Sequence, residues 1–290
     1  MKREAGRAAG EAELERGTAA GVREAGRPSR WLNPAGGFLT GYSHTLNPYA
    51  GCAFGCSYCY VRRMPVGLFR KQPWGGWVDV KRFERAAFDR EWSRALAAGP
   101  VRVFMASATD PYQPAEYRYR ITRSLLECMA DRPPAFLLLQ TRSPLVLRDV
   151  DLLLRLGGRV RVSLTLETDL EEVRRRFTPA APPLAARWRA LRQLREAGIP
   201  VQAAVSPLLP CSEAFAGRLA EAAPRIVVDD FFRGDGSGGK RTARLGIAEH
   251  YRALGLGGAY APETADRFLR ELEPLASAGA VRFSREGFLP

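Results

Sequence analysis

Short apolar runs alternate with segments of helical periodicity through the middle of the chain. Runs of this length are typical of buried strands, and apolar positions three or four residues apart are typical of amphipathic helices. The predicted strands are 101–105, 136–140, 160–166, 200–206 and 226–229. The predicted helices are 81–97, 117–130, 147–156, 184–197 and 213–222. A further strand is predicted just ahead of Asn47, which gives about six strand–helix units.

This alternation predicts an α/β fold. Strand–helix repeats imply a parallel sheet with right-handed crossover connections. Six units are too few to close an eight-stranded barrel, so we expect a partial (β/α)6 TIM-like barrel. In such barrels functional residues collect where strands end and loops begin.

The two ends of the chain differ from this core. Residues 1–30 are mostly Gly, Ala, Arg and Glu, which favours a disordered tail because little apolar surface can be buried. The core is predicted over 31–235, and 236–290 is predicted to be a helical extension that caps the open side of the barrel. No run of about eighteen apolar residues and no signal-peptide core is present, so we expect a cytoplasmic protein without a membrane partner.

The chain is strongly basic, with a formal net charge of +13 and a pI of about 10.1. All but four of its 44 basic residues are arginine. A nucleic-acid partner would explain this charge. The arginine bias of a GC-rich coding sequence, with Arg–Glu pairs on solvated helix faces such as Arg192 and Glu196, is the stronger explanation.

Polar residues follow the predicted strands at the positions where a site should lie. A polar loop, 107–116, contains Asp110, and Arg142 follows the next strand. Ser163, Thr165 and Glu167 alternate along another strand and therefore share one face. That face could be the solvent side of an edge strand. The apolar residues between them favour instead a polar face turned into the barrel.

Three of the five cysteines, Cys52, Cys56 and Cys59, have the spacing C-x3-C-x2-C. Soft thiolates on one loop suit zinc or an iron–sulfur cluster. Three thiolates can hold three irons of a cubane and leave the fourth open. A structural zinc site normally takes four ligands, and His44 is the only near candidate for the fourth. A disulfide pair fits a chain without a secretory signal poorly.

Together with its neighbours, this loop resembles the radical S-adenosylmethionine (SAM) superfamily. The cysteine spacing matches the superfamily pattern, and Tyr58 fills its aromatic position. The sets N-P-Y-x-G-C, T-D-P-Y-Q-P-x-E and Q-T-R-S are similar to the spore photoproduct lyase-like branch. The likeness covers about residues 40–235, and it too implies a partial barrel.

The resemblance implies cofactors and contacts for individual residues. Cys52, Cys56 and Cys59 would bind a [4Fe–4S] cluster whose open iron chelates SAM. Arg142 and Ser163 match positions near the SAM carboxylate and ribose, with Arg142 replacing a lysine. The remaining candidates for contacts with the cofactors are Asp110 and Glu167, for the amino group or ribose of SAM, and Tyr58 and Tyr60, beside the cluster and adenine.

The resemblance also implies a reaction class. A flavodoxin- or ferredoxin-type reductant would supply one electron, and reductive SAM cleavage would give a 5′-deoxyadenosyl radical that abstracts hydrogen from an unknown substrate. A nucleic-acid-related substrate is one candidate. The alternatives are a non-catalytic iron–sulfur or zinc module that binds nucleic acid and an electron-transfer protein. Four thiolates usually close the clusters of electron-transfer proteins.

One departure argues against classical lyase activity. Ser107 lies where the lyase has a cysteine hydrogen donor, and an O–H bond is too strong to replace S–H. No catalytic residue is assigned. Cys128 is predicted to be buried in a helix, and Cys211 could either line the site or pack. The glycine-rich stretch 233–240 lacks the spacing of a phosphate-binding loop and is predicted to be a flexible connection.

Overall fold

The computed structural model describes residues 21–234 and 237–290, and strands make up its centre. The strands are β1 (Gly21–Glu24), β2 (Leu32–Pro34), β3 (His44–Leu46), β4 (Tyr49–Ala50), β5 (Trp77–Val80), β6 (Arg102–Met105), β7 (Phe136–Thr141), β8 (Val160–Thr165), β9 (Val201–Val205), β10 (Ile226–Val228) and β11 (Val281–Phe283).

Helices connect most of these strands. They are α1 (Pro65–Leu68), α2 (Arg85–Ala98), α3 (Pro114–Tyr119), α4 (Ile121–Asp131), α5 (Val150–Leu156), α6 (Glu171–Phe177), α7 (Leu184–Glu196), α8 (Phe215–Ala222), α9 (Lys240–Ala243), α10 (Ile247–Ala253), α11 (Pro262–Leu272) and α12 (Ser284–Gly287).

The main sheet has the strand order β2-β3-β6-β7-β8-β9-β10-β11. β2 is antiparallel to β3, and every other neighbouring pair is parallel. The six strands β3 and β6 to β10 follow chain order, which confirms the predicted α/β partial barrel. In the described part of the chain, β2 and β11 are edges and the barrel does not close. β11 was not predicted, because its three residues carry no clear apolar pattern.

The two faces of this sheet have different compositions, as predicted. Val162, Leu164 and Leu166 pack in the large apolar core between sheet and helices. The opposite, inward face carries an apolar patch that includes Phe104 and Leu138, together with polar side chains. Ser163 and Thr165 belong to that inward face and are buried. Outward apolar residues therefore fix the register, because a slip by one position would reverse the two faces.

The helix predicted over 117–130 is two helices, α3 and α4, and this prediction was wrong. Arg120 has a left-handed backbone, with φ of 52°, which separates them. The buried Glu116 carboxylate accepts the N–H groups of Thr122 (2.9 Å) and Arg123 (3.2 Å). These groups at the start of α4 would otherwise lack partners, so an acid from the preceding helix α3 takes the place of an N-cap side chain.

The predicted tail over 1–30 is structured from Gly21 onward, while residues 1–20 lie outside the described residues. β1 pairs with β5, whose other neighbour is β4, in a small second sheet. The side chains of β1 are exposed, so backbone hydrogen bonds and an Arg23–Asp79 ion pair of 3.0 Å hold it. The composition of residues 21–30 predicted disorder because backbone hydrogen bonds and an ion pair, which order β1, need no apolar side chain. The exact domain boundaries remain a prediction.

The C-terminal part contains helices α9 to α12, and it also supplies the strand β11. Arg241 and Thr242 from α9 reach the mouth of the barrel. Two residues of the glycine-rich stretch, 235 and 236, lie outside the described residues. Among the helices that the structure describes, none is long and apolar enough to cross a membrane.

Candidate active site

The cysteine loop follows β4 and is shaped by close backbone approaches. Gly51 has φ of +80°, and a Cβ there would lie 2.5 Å from the carbonyl oxygen of Trp77. Gly55 has φ of +56° and lies against Gly75. A Cβ would clash at Gly51 and would be crowded and strained at Gly55, so glycine lets the loop fold tightly against the Trp74–Trp77 connection.

The three thiols of the loop are free and interact with one another. Cys52 and Cys56 are buried, and Cys59 is partly buried. Burial raises the pKa of Cys52 and Cys56, and it raises that of Cys59 to about 12, with the neighbouring Cys56 adding to it. Thiols in this environment need an electrophile to become thiolates, and an iron cluster supplies one. Three thiols on one cavity wall fit a cluster with one open iron. Among the described residues no His, Cys, Asp and Glu group is arranged to hold a single metal ion.

The polar loop after β6 braces the cysteine loop. Gln113 is fully buried; its Oε1 accepts the N–H of Ala53 at 2.8 Å, and its Nε2 donates to the carbonyl of Gly51 at 3.2 Å. Thr109 donates to the same carbonyl at 2.6 Å. Gln113 and Thr109 of the loop after β6 therefore provide hydrogen-bond partners for backbone groups of the cysteine loop. Sequence reasoning found the loop but missed Gln113 as its bracing residue.

Asp110 connects two strand ends. Its carboxylate accepts the N–H groups of Tyr112 and Arg142, each at 2.9 Å, and the hydroxyl of Thr141 at 2.7 Å. Burial raises the pKa of Asp110 in spite of these donors. Asp110 lines the cavity, but its described contacts hold the β6 and β7 loops together.

Glu167 lies at the centre of a buried charge network. It accepts hydrogen bonds from Arg142 and Arg187, each at 2.7 Å, and from the Tyr58 hydroxyl. Burial alone would raise the pKa of Glu167, but the two guanidinium groups outweigh it and lower the pKa to about 2. Both carboxylate oxygens are occupied, and Glu167 does not line the cavity. The fully buried Arg187 was missed, because an arginine on an amphipathic helix looks solvated.

Arg142 joins this network to the cysteines. Its Nη1 lies 3.0 Å from Cys56 Sγ and 2.9 Å from the Tyr58 hydroxyl. Arg142 is the one residue of the network that contacts a cysteine sulfur, a carboxylate and the cavity. A cation beside a thiolate stabilises negative charge on the sulfur.

A cavity of about 550 Å³ connects the cysteines with the interior of the barrel. Its wall includes all three cysteines of the loop and residues from the carboxyl ends of β6 to β10. Gln140 lines it and donates to Thr165 at 2.9 Å, while its Oε1 is buried and lacks a partner among the described residues. The predicted convergence of strand-end residues on one space is therefore present.

Several predicted residues lie elsewhere. Ser163 is fully buried and accepts a hydrogen bond from Gln202 at 2.9 Å, one layer below the cavity wall. Ser107 lines the cavity beside the cysteine loop and accepts from Asn47 at 3.2 Å. Cys128 packs in the core, as predicted, and Cys211 packs at the edge of the core rather than on the cavity.

Asp229, at the end of β10, is a candidate that sequence reasoning missed. It lines the cavity, is 2% exposed and forms no ion pair among the described residues. Burial raises the pKa of Asp229 to about 7. Its neighbour Asp230 pairs with Arg233 at 2.6 Å. The only available signal was a pair of acids directly after an apolar run.

Comparison with known proteins shows the same architecture. A double mutant of spore photoproduct lyase with bound AdoMet and dinucleoside spore photoproduct aligns with a TM-score of 0.62 and 13% identity, over 96% of this chain and 85% of that one. A tyrosine-to-phenylalanine mutant of the same enzyme gives 0.64 and 13%, with the same coverage. At this identity the likeness shows the fold.

Sequence relatives are less informative about activity. An uncharacterized protein of Methanocaldococcus jannaschii is 31% identical over 172 residues, 59% of this chain and 62% of the relative. One from Acidianus two-tailed virus is 32% identical over 173 residues, 57% and 56% respectively. The matches thus span about three-fifths of these relatives.

The Radical SAM superfamily model matches residues 46–210, more than half of the chain. The chain therefore belongs to the radical SAM superfamily, whose members use a [4Fe–4S] cluster and SAM.

Proposed function

We propose that this chain cleaves SAM reductively at the cysteine end of the cavity and removes a hydrogen atom from a substrate in the rest of it. When bound, the cluster and SAM together supply a 5′-deoxyadenosyl radical. The protein contributes binding, orientation and exclusion of water. The observation that carries the proposal is one cavity of about 550 Å³ shared by three free cysteines and the strand-end residues.

In this proposal Cys52, Cys56 and Cys59 hold the cluster. Arg142 fits two tasks, because it reaches both Cys56 and the cavity: it steadies a cluster thiolate and offers a cation to the carboxylate of SAM. Asp110 and Tyr58 remain candidates for cofactor contacts from the cavity wall.

Ser163 and Glu167 act through their neighbours in this proposal, since neither lines the cavity. Glu167 orients Arg142 and Tyr58 by its hydrogen bonds. Ser163 supports the layer below Thr165 through Gln202.

For the substrate we propose a nucleic-acid-related molecule. The basic composition supports this, and one structural neighbour is described with a bound dinucleoside photoproduct. We do not extend the lyase reaction itself to this chain. Apart from the three loop cysteines, no cysteine among the described residues lines the cavity, and Ser107 cannot donate a hydrogen atom as a thiol does.

The test is anaerobic reconstitution with iron and sulfide, reduction with dithionite, addition of SAM and quantification of 5′-deoxyadenosine. We expect product from the wild type, none from Cys59→Ala and wild-type amounts from the matched Cys128→Ala variant. A wild-type protein with a full cluster that forms no deoxyadenosine under several reductants would refute the proposal.

A further inference from the structure

Two large apolar side chains are exposed just beyond the cysteine loop. Leu68, the last residue of α1, is 53% exposed, and Phe69 is 86% exposed. Phe69 is the most exposed large hydrophobic side chain in the part of the chain that the structure describes. A phenylalanine so placed contributes nothing to the core, and adjacent exposed apolar residues often mark an interaction surface.

This apolar pair is connected to Cys59 by tight backbone contacts. The N–H of Arg62 donates to the carbonyl of Cys59 at 3.1 Å, within the 3-10 turn that follows the cysteine. Gly67 in α1 lies so close to that turn that a Cβ would come within 2.6 Å of the Val61 carbonyl oxygen. The rise per residue along this turn, the extended Met64 and α1 limits the distance from Cys59 to Phe69 to at most roughly 20 Å.

Basic residues flank the pair along the chain. Residues 60–78 include Arg62, Arg63, Arg70 and Lys71 and no acidic residue. Arg63 and Lys71 are exposed, and neither forms an ion pair with a described residue. Arg70 stacks on Trp77 and pairs with Asp79, so it stays at the edge of the surface. The result is an exposed apolar pair with two exposed cations close to it in the chain, Arg63 and Lys71, which we call its rim. An apolar centre with a polar rim is typical of protein interfaces.

We propose that Leu68 and Phe69, with the rim of Arg63 and Lys71, form the docking surface for an acidic one-electron carrier protein that reduces the cluster. This inference rests on the proposed function, because only a cluster that must be reduced needs a carrier. In the step, one electron leaves the carrier, which is oxidised, and enters the cluster, which is reduced; no bond forms or breaks.

Position and charge together favour this occupant. A carrier must come close to the cluster, and this surface lies over the turn that follows a cysteine ligand. A nucleic-acid substrate would bind in the cavity, which neither Leu68 nor Phe69 lines. An anionic membrane would use the same cations but has no need of a position beside the cluster. Electron-transfer complexes are small, so two apolar side chains suffice as their centre. Complementary charge would steer association and make it sensitive to salt.

The experiment measures how fast reduced flavodoxin, an acidic flavoprotein, reduces the reconstituted cluster, by stopped-flow absorbance. The test variant is Leu68→Ser with Phe69→Ser, and the matched control is Leu275→Ser, which replaces a leucine that is 57% exposed elsewhere. We expect reduction at least about tenfold slower in the test variant, since interface anchors carry most of the affinity. Dithionite should reduce all three proteins at the same rate.

A second variant, Lys71→Glu, should slow reduction by flavodoxin and weaken its dependence on salt. The proposal is overturned if both variants are reduced by flavodoxin at the wild-type rate. It is also overturned if the apolar variant instead loses binding to phosphatidylserine vesicles or to a single-stranded oligonucleotide while flavodoxin reduction is unchanged. Deoxyadenosine formed with dithionite reports separately on the proposed function, because that assay bypasses docking.

Discussion

Two buried carboxyl groups that follow strand ends have opposite surroundings. After β8, Glu167 lies between Arg142 and Arg187, and its pKa falls to about 2. After β10, Asp229 is equally buried but forms no ion pair with a described residue, and burial raises its pKa to about 7. Glu167 belongs to a complete charge network beside the cysteines, behind the cavity wall. Asp229 lines the cavity itself, which suits contact with a ligand.

The largest expected effect comes from breaking the completed network. Arg187→Leu removes one of the two cations from Glu167 and leaves its charge undercompensated in the interior. We expect the free energy of unfolding to fall by about 3–5 kcal/mol, as for other broken buried ion pairs. Urea unfolding measures this. Arg189→Leu, an exposed change on the same helix, should cost less than about 0.5 kcal/mol. Equal effects of the two variants would contradict the network.

Asp229→Asn should act in the opposite direction and depend on pH. Because the folded state raises this pKa from 3.8 to about 7, the stability contributed by the group is full below pH 3.8 and is lost as pH rises to about 7. The amide cannot ionise, so the variant should be more stable than the wild type at pH 8, by up to about 4 kcal/mol, and similar at pH 4.

Asp230→Asn is the matched control for this pH series. That carboxylate is paired with Arg233 and accepts the N–H of Phe232, so its loss should destabilise at pH 8 by about 1 kcal/mol. An Asp229→Asn protein that is less stable than the wild type at pH 8 would show that the ionised Asp229 carboxylate does not destabilise the folded state.

Gln113→Ala tests the brace between the two loops. It leaves the N–H of Ala53 without its partner, which should cost about 1–3 kcal/mol and reduce the iron retained after gel filtration. Gln193→Ala, an exposed change on α7, should alter neither quantity. Wild-type iron retention in Gln113→Ala would show that the cysteine loop needs no brace.

Ser163→Ala should have the smallest effect. The serine supports Gln202 below the cavity, so we expect a loss of about 1 kcal/mol and a change in the SAM dissociation constant of less than twofold. Equilibrium dialysis on reconstituted protein measures the latter. A tenfold weaker affinity would place Ser163 in contact with SAM after all.

Local patterns predicted most of the sheet because its strands are uniformly apolar on the outward face. Val162, Leu164 and Leu166 fix the register of β8, and the inward direction of Ser163 and Thr165 follows from it. β1 and β11 could not be predicted in this way, because backbone pairing holds them and their side chains carry little pattern.

Site residues that belong to a short motif or follow a predicted strand could be predicted from the sequence. Contacts between residues far apart in the chain could not. The cysteine spacing and the strand-end positions of Asp110 and Arg142 can be read from the sequence. The pairing of Glu167 with Arg187 joins the segment after β8 to α7 across twenty residues, and nothing local marks it. Likewise, the absence of an ion pair at Asp229 among the described residues is a property of its surroundings and has no pattern in the chain.

The most direct test of the central claim, a cluster held by three cysteines with one iron open to SAM, is a series of five single Cys→Ala variants. Iron content and the EPR spectrum of the reduced protein would be measured with and without SAM. The account predicts that changes at Cys52, Cys56 and Cys59 abolish the cubane signal. Changes at Cys128 and Cys211 should preserve it together with its perturbation by SAM. Loss of the signal in Cys211→Ala, or a signal that SAM leaves unchanged in the wild type, would contradict an open cluster.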